Sequence, residues 1–272
     1  MCEGLKHQPI EIDGDGFITK DVEDRFRRLL GTKQSFANAV IETVQLANEI
    51  LNSLEATYPH ETKLEQQKVA TLALLAREIE VSESMVILAA YGVRQELYSL
   101  IRIFLDAYFI LANVCSDQDF FREYCLTDEI TRLKLMNVAS TQNHELFEKL
   151  KNYADDDVRN ALRGRIEEDG IRPFRSEEYA KKVGCSAIYD SRYRLASSAI
   201  HTSPRCLQEY IETNDDGYVC RIVRNGDAAG RDLVLADMAS FLLVLLQGVC
   251  EVFAHPEPSA IKRLKDQLET AI

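Results

Sequence analysis

Tryptophan is absent from this 272-residue chain, and turn-formers are scarce, with 6 prolines and 12 glycines. A β-sandwich or barrel needs a turn roughly every 8–12 residues, so this shortage points to long helices. With no tryptophan, any stacking surface must come from the 11 Phe and 11 Tyr. Excess positive charge is also missing: 32 Lys and Arg stand against 44 Asp and Glu, a net charge of −12. That excludes a generally basic surface of the kind that holds nucleic acid by neutralising phosphates, so contact with RNA must be local or arise at an assembly interface.

The 7 cysteines are odd in number, scattered, and nowhere spaced CxxC. They argue against a disulfide framework and fit a reducing compartment. The most apolar run, MASFLLVLLQGVC (238–250), is flanked by Asp237 and Glu251. It is shorter than the ~18–20 residues a bilayer requires and reads as a buried core helix. MCEGLKHQ contains no apolar leader core, so a cytoplasmic protein with no membrane partner is expected. Walker, GxGxxG and GxSxG motifs are lacking, as are paired ExxH motifs. His7, His60, His144 and His255 look isolated, so neither a metal nor a cofactor is expected. EIDGDGFITKDVE (11–23) imitates a calcium loop, but Glu11 and Val22 occupy the positions where Asp and a bidentate Glu are needed. A turn before the first helix explains it.

What is present is helical periodicity. From Asp24 to Thr57, Phe36, Val40, Val44, Ala47, Ile50 and Leu54 recur every three or four residues, which predicts one long amphipathic helix ended by Tyr58-Pro59. Residues 61–116 form one very long helix or two, broken at Gly92. Further helices are expected over 118–140, 143–152, 154–169, a short SEEYAKKVG segment, 187–202, 231–254 and the C-terminal end. NDDG (214–217) and NG (225–226) bracket YVCRIVR, a strand or extended arm. The expected fold is all-α: a multi-helix bundle with a small extended or hairpin arm near 210–226. Its organisation is an extended segment over 1–20, a single helical domain over 21–254 and a C-terminal helix over 255–272.

Two polar stripes interrupt the apolar helices. In the first, Asp190, Arg194, Ser197, Ser198 and His201 fall on one face at 100° per residue. A histidine near its ordinary pKa transfers protons at neutral pH, and an arginine holds a phosphoryl oxyanion bidentately. Together Arg194 and His201 suit RNA cleavage without metal, with the two serines adding hydrogen bonds. The plainer alternative pairs Arg194 with Asp190 at i,i+4 and leaves the histidine bonded within the core. In the second stripe, Arg94, Tyr98, Arg102 and Asp106 recur every four residues along AAYGVRQELYSLIRIFLDAYFILANV (89–114). A buried arginine needs a partner, and Asp106 is the nearest one to Arg102.

RLASSAIH, an arginine, six intervening residues and then a histidine, resembles the signature of HEPN-type helical proteins. Many of these are ribonucleases of toxin–antitoxin and antiviral defence systems. The resemblance implies a homodimer with composite sites, His201 as acid/base and Arg194 as phosphate ligand. Leu195 stands where that pattern tends to carry a polar residue. The combination SLIRIFLDAYFILANVCSDQDFFREYC and YRLASSAIHTSP (about 85–210) also resembles a widespread bacterial all-α family of unknown function. It implies that Arg102, Asp106 and His201 share one cleft. Two further readings stay open: a non-catalytic sensor, scaffold or protein-partner-binding dimer, and a small-ligand or nucleotide site held by Arg94 and Arg102.

Overall fold

The computed structural model describes residues 16–57, 66–93, 95–142, 144–151, 155–200, 204–208, 210–223 and 230–271. Arg94 and His201 of the two stripes lie outside the described residues, as does the segment before Gly16. The fold is the expected all-α bundle with one small hairpin.

Helix α1 (Lys20–Leu30) starts under Thr19, whose hydroxyl accepts from the Val22 amide, and it ends on Arg27 and Arg28 where cations suit the helix C-terminus. Helix α2 (Gln34–Thr57) follows after three residues. The stretch 24–57 is therefore two helices and not one. Gly31 takes φ 55°, and its amide closes the last turn of α1 on Arg27 and Arg28. The apolar periodicity resumes after the turn, which hides the break from a periodicity argument. Gly16 also has positive φ, at 83°. The next amide, Phe17, donates to Glu83 Oε1 at 3.1 Å, and a side chain at position 16 would collide with that carboxylate. The glycine thus docks the N-terminal segment onto α3 (Gln66–Ala90).

Gly92, with φ 77°, separates α3 from α4 (Gln95–Ser116). Helix α4 is the hub: α3, α12 (Arg231–Val252) and α10 (Arg194–Ile200) pack around it. Phe104, Leu105, Phe109 and Leu111 of α4 meet Leu235, Leu242, Leu243 and Leu246 of α12 in one core. By length and composition α4 and α12 could each cross a membrane; 61% of the most apolar window of each is buried inside this bundle. Helix α13 (Ser259–Ala271) folds back on α2 and α12 through Ile261, Leu264 and Leu268.

The remaining elements form an outer layer. Helix α5 (Phe120–Thr141) packs on α7 (Asp156–Glu168), with the short α6 (Glu148–Lys151) between them in sequence. Asp155 caps α7, and Gly170, at φ 62°, ends it. Then come α8 (Ser176–Lys182), α9 (Ser186–Ile188) and a π turn over Tyr189–Tyr193 that runs into α10. After α11 (Pro204–Gln208), strands β1 (Ile211–Thr213) and β2 (Val219–Ile222) form an antiparallel hairpin pairing Ile211 with Ile222.

Candidate functional site

Three elements converge on the outer face of α4: the start of α8, the π turn and α10. Arg102 donates to one carboxylate oxygen of Asp106, one turn further along α4. The Ser176 hydroxyl donates to the other oxygen from α8. That uses the only proton Ser176 has, so the 2.9 Å contact between Ser176 Oγ and Tyr193 Oη is donated by the tyrosine. Asp106 therefore ties α8 and the π turn to α4 through a fully donated carboxylate. Burial pushes the Tyr193 phenol up, so Tyr193 remains the neutral donor that the network requires.

An aromatic stack leads from this network to the surface. The Arg102 guanidinium lies 4.9 Å from the Tyr193 ring centre. Tyr193 stacks on Tyr189 at 4.8 Å with 21° between planes. The Arg194 guanidinium lies 5.5 Å from the Tyr189 ring. Residues at i,i+4 are neighbours on one helix face, and on the π turn these two rings stack more closely than the i,i+4 pairs Phe104–Tyr108 and Phe120–Tyr124, whose centres are 6.4 and 6.5 Å apart. The turn is anchored from behind by Arg192, whose Nε donates to Asp237 of α12 at 2.7 Å. Burial raises the Asp237 carboxyl and Arg192 holds it back.

The two stripes of the sequence thus lie on helices that pack together, α4 and α10, but their members play different parts. Asp106 and Arg102 are half-buried. Arg194 pairs with Asp190 at 3.1 Å in full view of solvent, the side chains 60% and 64% exposed. Ser197 and Ser198 donate to the carbonyls of Tyr193 and Leu195 on their own helix. The residues that join the stripes are Tyr193 and Ser176, which sequence reasoning did not select. The signal for Tyr193 was present in YDSRYR: two tyrosines at i,i+4 beside an arginine, in a helix facing another arginine that needs cover. Ser176 carried no such signal, because its partner is 70 residues away.

Beside the network a cleft of about 470 Å³ opens between α8 and the π turn. Ser176 and Tyr193 form part of its lining, with Tyr189, Glu177 and Lys181; Arg175 and Glu178, a 3.4 Å pair, complete it. Among the described residues no three of His, Cys, Asp and Glu converge on a point where a metal ion could be held. The described cysteines make no disulfide. Cys250 is buried, Cys115 and Cys185 are half-buried, and burial pushes the Cys115 thiol up to about 12.

The profile of a family of unknown function, DUF5677, matches residues 68–218. That is more than half of the chain, and the chain belongs to this family. The matched span runs from the start of α3 to the tip of the hairpin and contains every member of the network, the stack and the cleft. No curated protein and no solved structure matches the chain.

Proposed function

We propose that this member of the DUF5677 family is a HEPN-like, metal-independent endoribonuclease, with Arg194 as phosphate ligand and His201 as acid/base. The observation that carries the reading is the state of Arg194. It stands at the outer end of the stack, backed by Tyr189 and, among the described residues, ion-paired only with the solvent-exposed carboxylate of Asp190. An exposed pair of this kind is worth about 0–1 kcal/mol, so a phosphate can take the place of Asp190 at little cost. The helix beneath is fixed by Asp106, Ser176 and Arg192, which gives the arginine a defined position.

In the proposed reaction a ribose 2′-oxygen forms a bond to phosphorus and the bond to the 5′-oxygen breaks. Arg194 stabilises the two non-bridging oxygens as charge builds on them. His201 takes the 2′-hydroxyl proton or supplies the proton to the leaving 5′-oxygen. In a homodimer the second copy supplies the other proton-transfer group. His201 enters by its sequence position, seven residues after Arg194.

The test is cleavage of an unstructured, fluorophore-labelled RNA in EDTA. We expect wild-type cleavage to be lost by about 10²-fold or more in His201→Ala and in Arg194→Ala, with melting unchanged. A wild type that leaves the RNA intact, or a His201→Ala protein that cuts normally, overturns the reading. A non-catalytic partner-binding role has one observation in its favour: Leu195, Ile200 and Leu207 are exposed on α10 and α11. It predicts an intact RNA and an assembly dissociated by Leu195→Asp.

A further inference from the structure

We infer that the cleft between α8 and the π turn is a base-binding subsite, with Tyr189 as the stacking platform and guanine as the preferred base. The inference rests on the reading of Arg194 as a phosphate ligand and adds what the neighbouring nucleotide meets. Its volume, about 470 Å³, lies in the range of small-ligand clefts, roughly 300–1,000 Å³. One wall is the Tyr189 ring, which Tyr193 backs in a parallel stack. That stack is itself held by Arg102, so Tyr189 is rigid before any ligand arrives. The guanidinium now resting on Tyr189 belongs to Arg194. Cation and base compete for the same π surface, and Arg194 is exposed enough to leave it. Arg194 is not part of the cleft's lining, so its departure extends the cleft onto the outer face of Tyr189: a base then covers that face while Arg194 turns to its phosphate.

The polar lining sets the base. Glu177 makes no ion pair among the described residues, whereas Glu178 is engaged by Arg175. A carboxylate only accepts hydrogen bonds. Guanine alone among the four bases offers two adjacent N–H donors on its pairing edge, N1–H and the N2 amino group, and so meets a carboxylate bidentately. Adenine and cytosine offer one amino group beside an acceptor, and uracil offers one N–H between two acceptors. Lys181, on the same wall, neutralises the approach of a phosphate to this acidic chain.

Titrating the full chain with GMP, AMP, CMP and UMP by calorimetry tests this directly, since none of the four contains a bond to be cut. GMP is expected to bind at least about 10-fold more tightly than AMP, the scale of one good bidentate base contact. Tyr189→Ser should weaken GMP binding by about 10-fold or more while Tyr189→Phe retains it, which separates stacking from folding. Glu177→Gln should bring GMP and AMP to equal affinity. Equal binding of all four nucleotides, or GMP binding unchanged in Tyr189→Ser, overturns the subsite. The two proposals fail separately. GMP binding without RNA cleavage keeps the subsite and removes the nuclease. Cleavage by a chain whose mononucleotide binding ignores Tyr189 keeps the nuclease and removes the subsite.

Discussion

A carboxylic acid buried without a hydrogen-bond partner is costly to a fold. Glu78 of α3 is 0% exposed, and among the described residues neither carboxylate oxygen has a hydrogen-bond partner. Burial raises its pKa well above the ordinary 4.5, so it is held as the neutral acid. It lies near enough to Tyr108 to help raise that phenol, after burial and Cys185. The sign of the pH effect follows. Above about 4.5 the unfolded chain releases the Glu78 proton while the folded chain keeps it. The folded state then binds more protons, so stability is greatest below that value and falls as pH rises toward the raised folded pKa. Glu78→Gln should flatten this fall without adding stability, because an amide there is equally unpartnered. Glu78→Leu should flatten it and add about 1–3 kcal/mol at pH 8, the usual cost of a buried unsatisfied group. Urea unfolding at pH 5 and pH 8 measures both. A variant that keeps the wild-type slope would show that another group controls it.

At the scale of elements, the outer helices are held to α4 by a few polar bonds. Asn113, buried in α4, donates from its side-chain amide to Phe109 O at 2.7 Å and to Tyr179 O of α8 at 2.9 Å. Tyr179 in turn packs against Phe120 and Phe174, each ring centre 4.9 Å away. Asn113→Ala orphans the Tyr179 carbonyl and should cost about 1–3 kcal/mol. For a chain of this size that is a fall of about 2–4 °C in Tm per kcal/mol. Hydrogen exchange should rise first over α8 and the π turn, and a uniform rise would contradict the local role. This layer also marks where sequence reading stopped. The α3–α4 break was legible because Gly92 stands alone in a long apolar stretch. The Arg102–Asp106 pair was legible because both residues share one helix. The π turn was not, since a single extra residue per turn leaves the composition of YDSRY unchanged. Nor was the Asp106–Ser176–Tyr193 junction, whose partners meet only after three helices have packed.

At the scale of the whole molecule, the hairpin arm makes few contacts with the bundle among the described residues. Most apolar side chains of α4 and α12 are buried in one core, whereas Tyr218, Val219 and Ile222 of the arm are 72%, 60% and 68% exposed. The hairpin packs chiefly on itself, with a small contact between β1 and α11. An isolated two-stranded hairpin is marginal in water, so this one adds little to the bundle. Its base is already closed: the Val223 amide donates to Tyr210 O at 2.9 Å, so the two ends of the arm lie side by side. Replacing residues 211–222 with a two-residue Asn-Gly turn should therefore leave the core undisturbed. We expect the shortened chain to melt within about 2 °C of the parent, which corresponds to less than about 1 kcal/mol at this size. The proposed EDTA-insensitive RNA cleavage should persist, because the network, the stack and Arg194 all precede the arm. A loss of 10 °C or more would mean that the arm's exposed apolar residues are covered in solution and that the bundle depends on that cover. Loss of cleavage with an unchanged Tm would instead make the arm part of the RNA-binding surface.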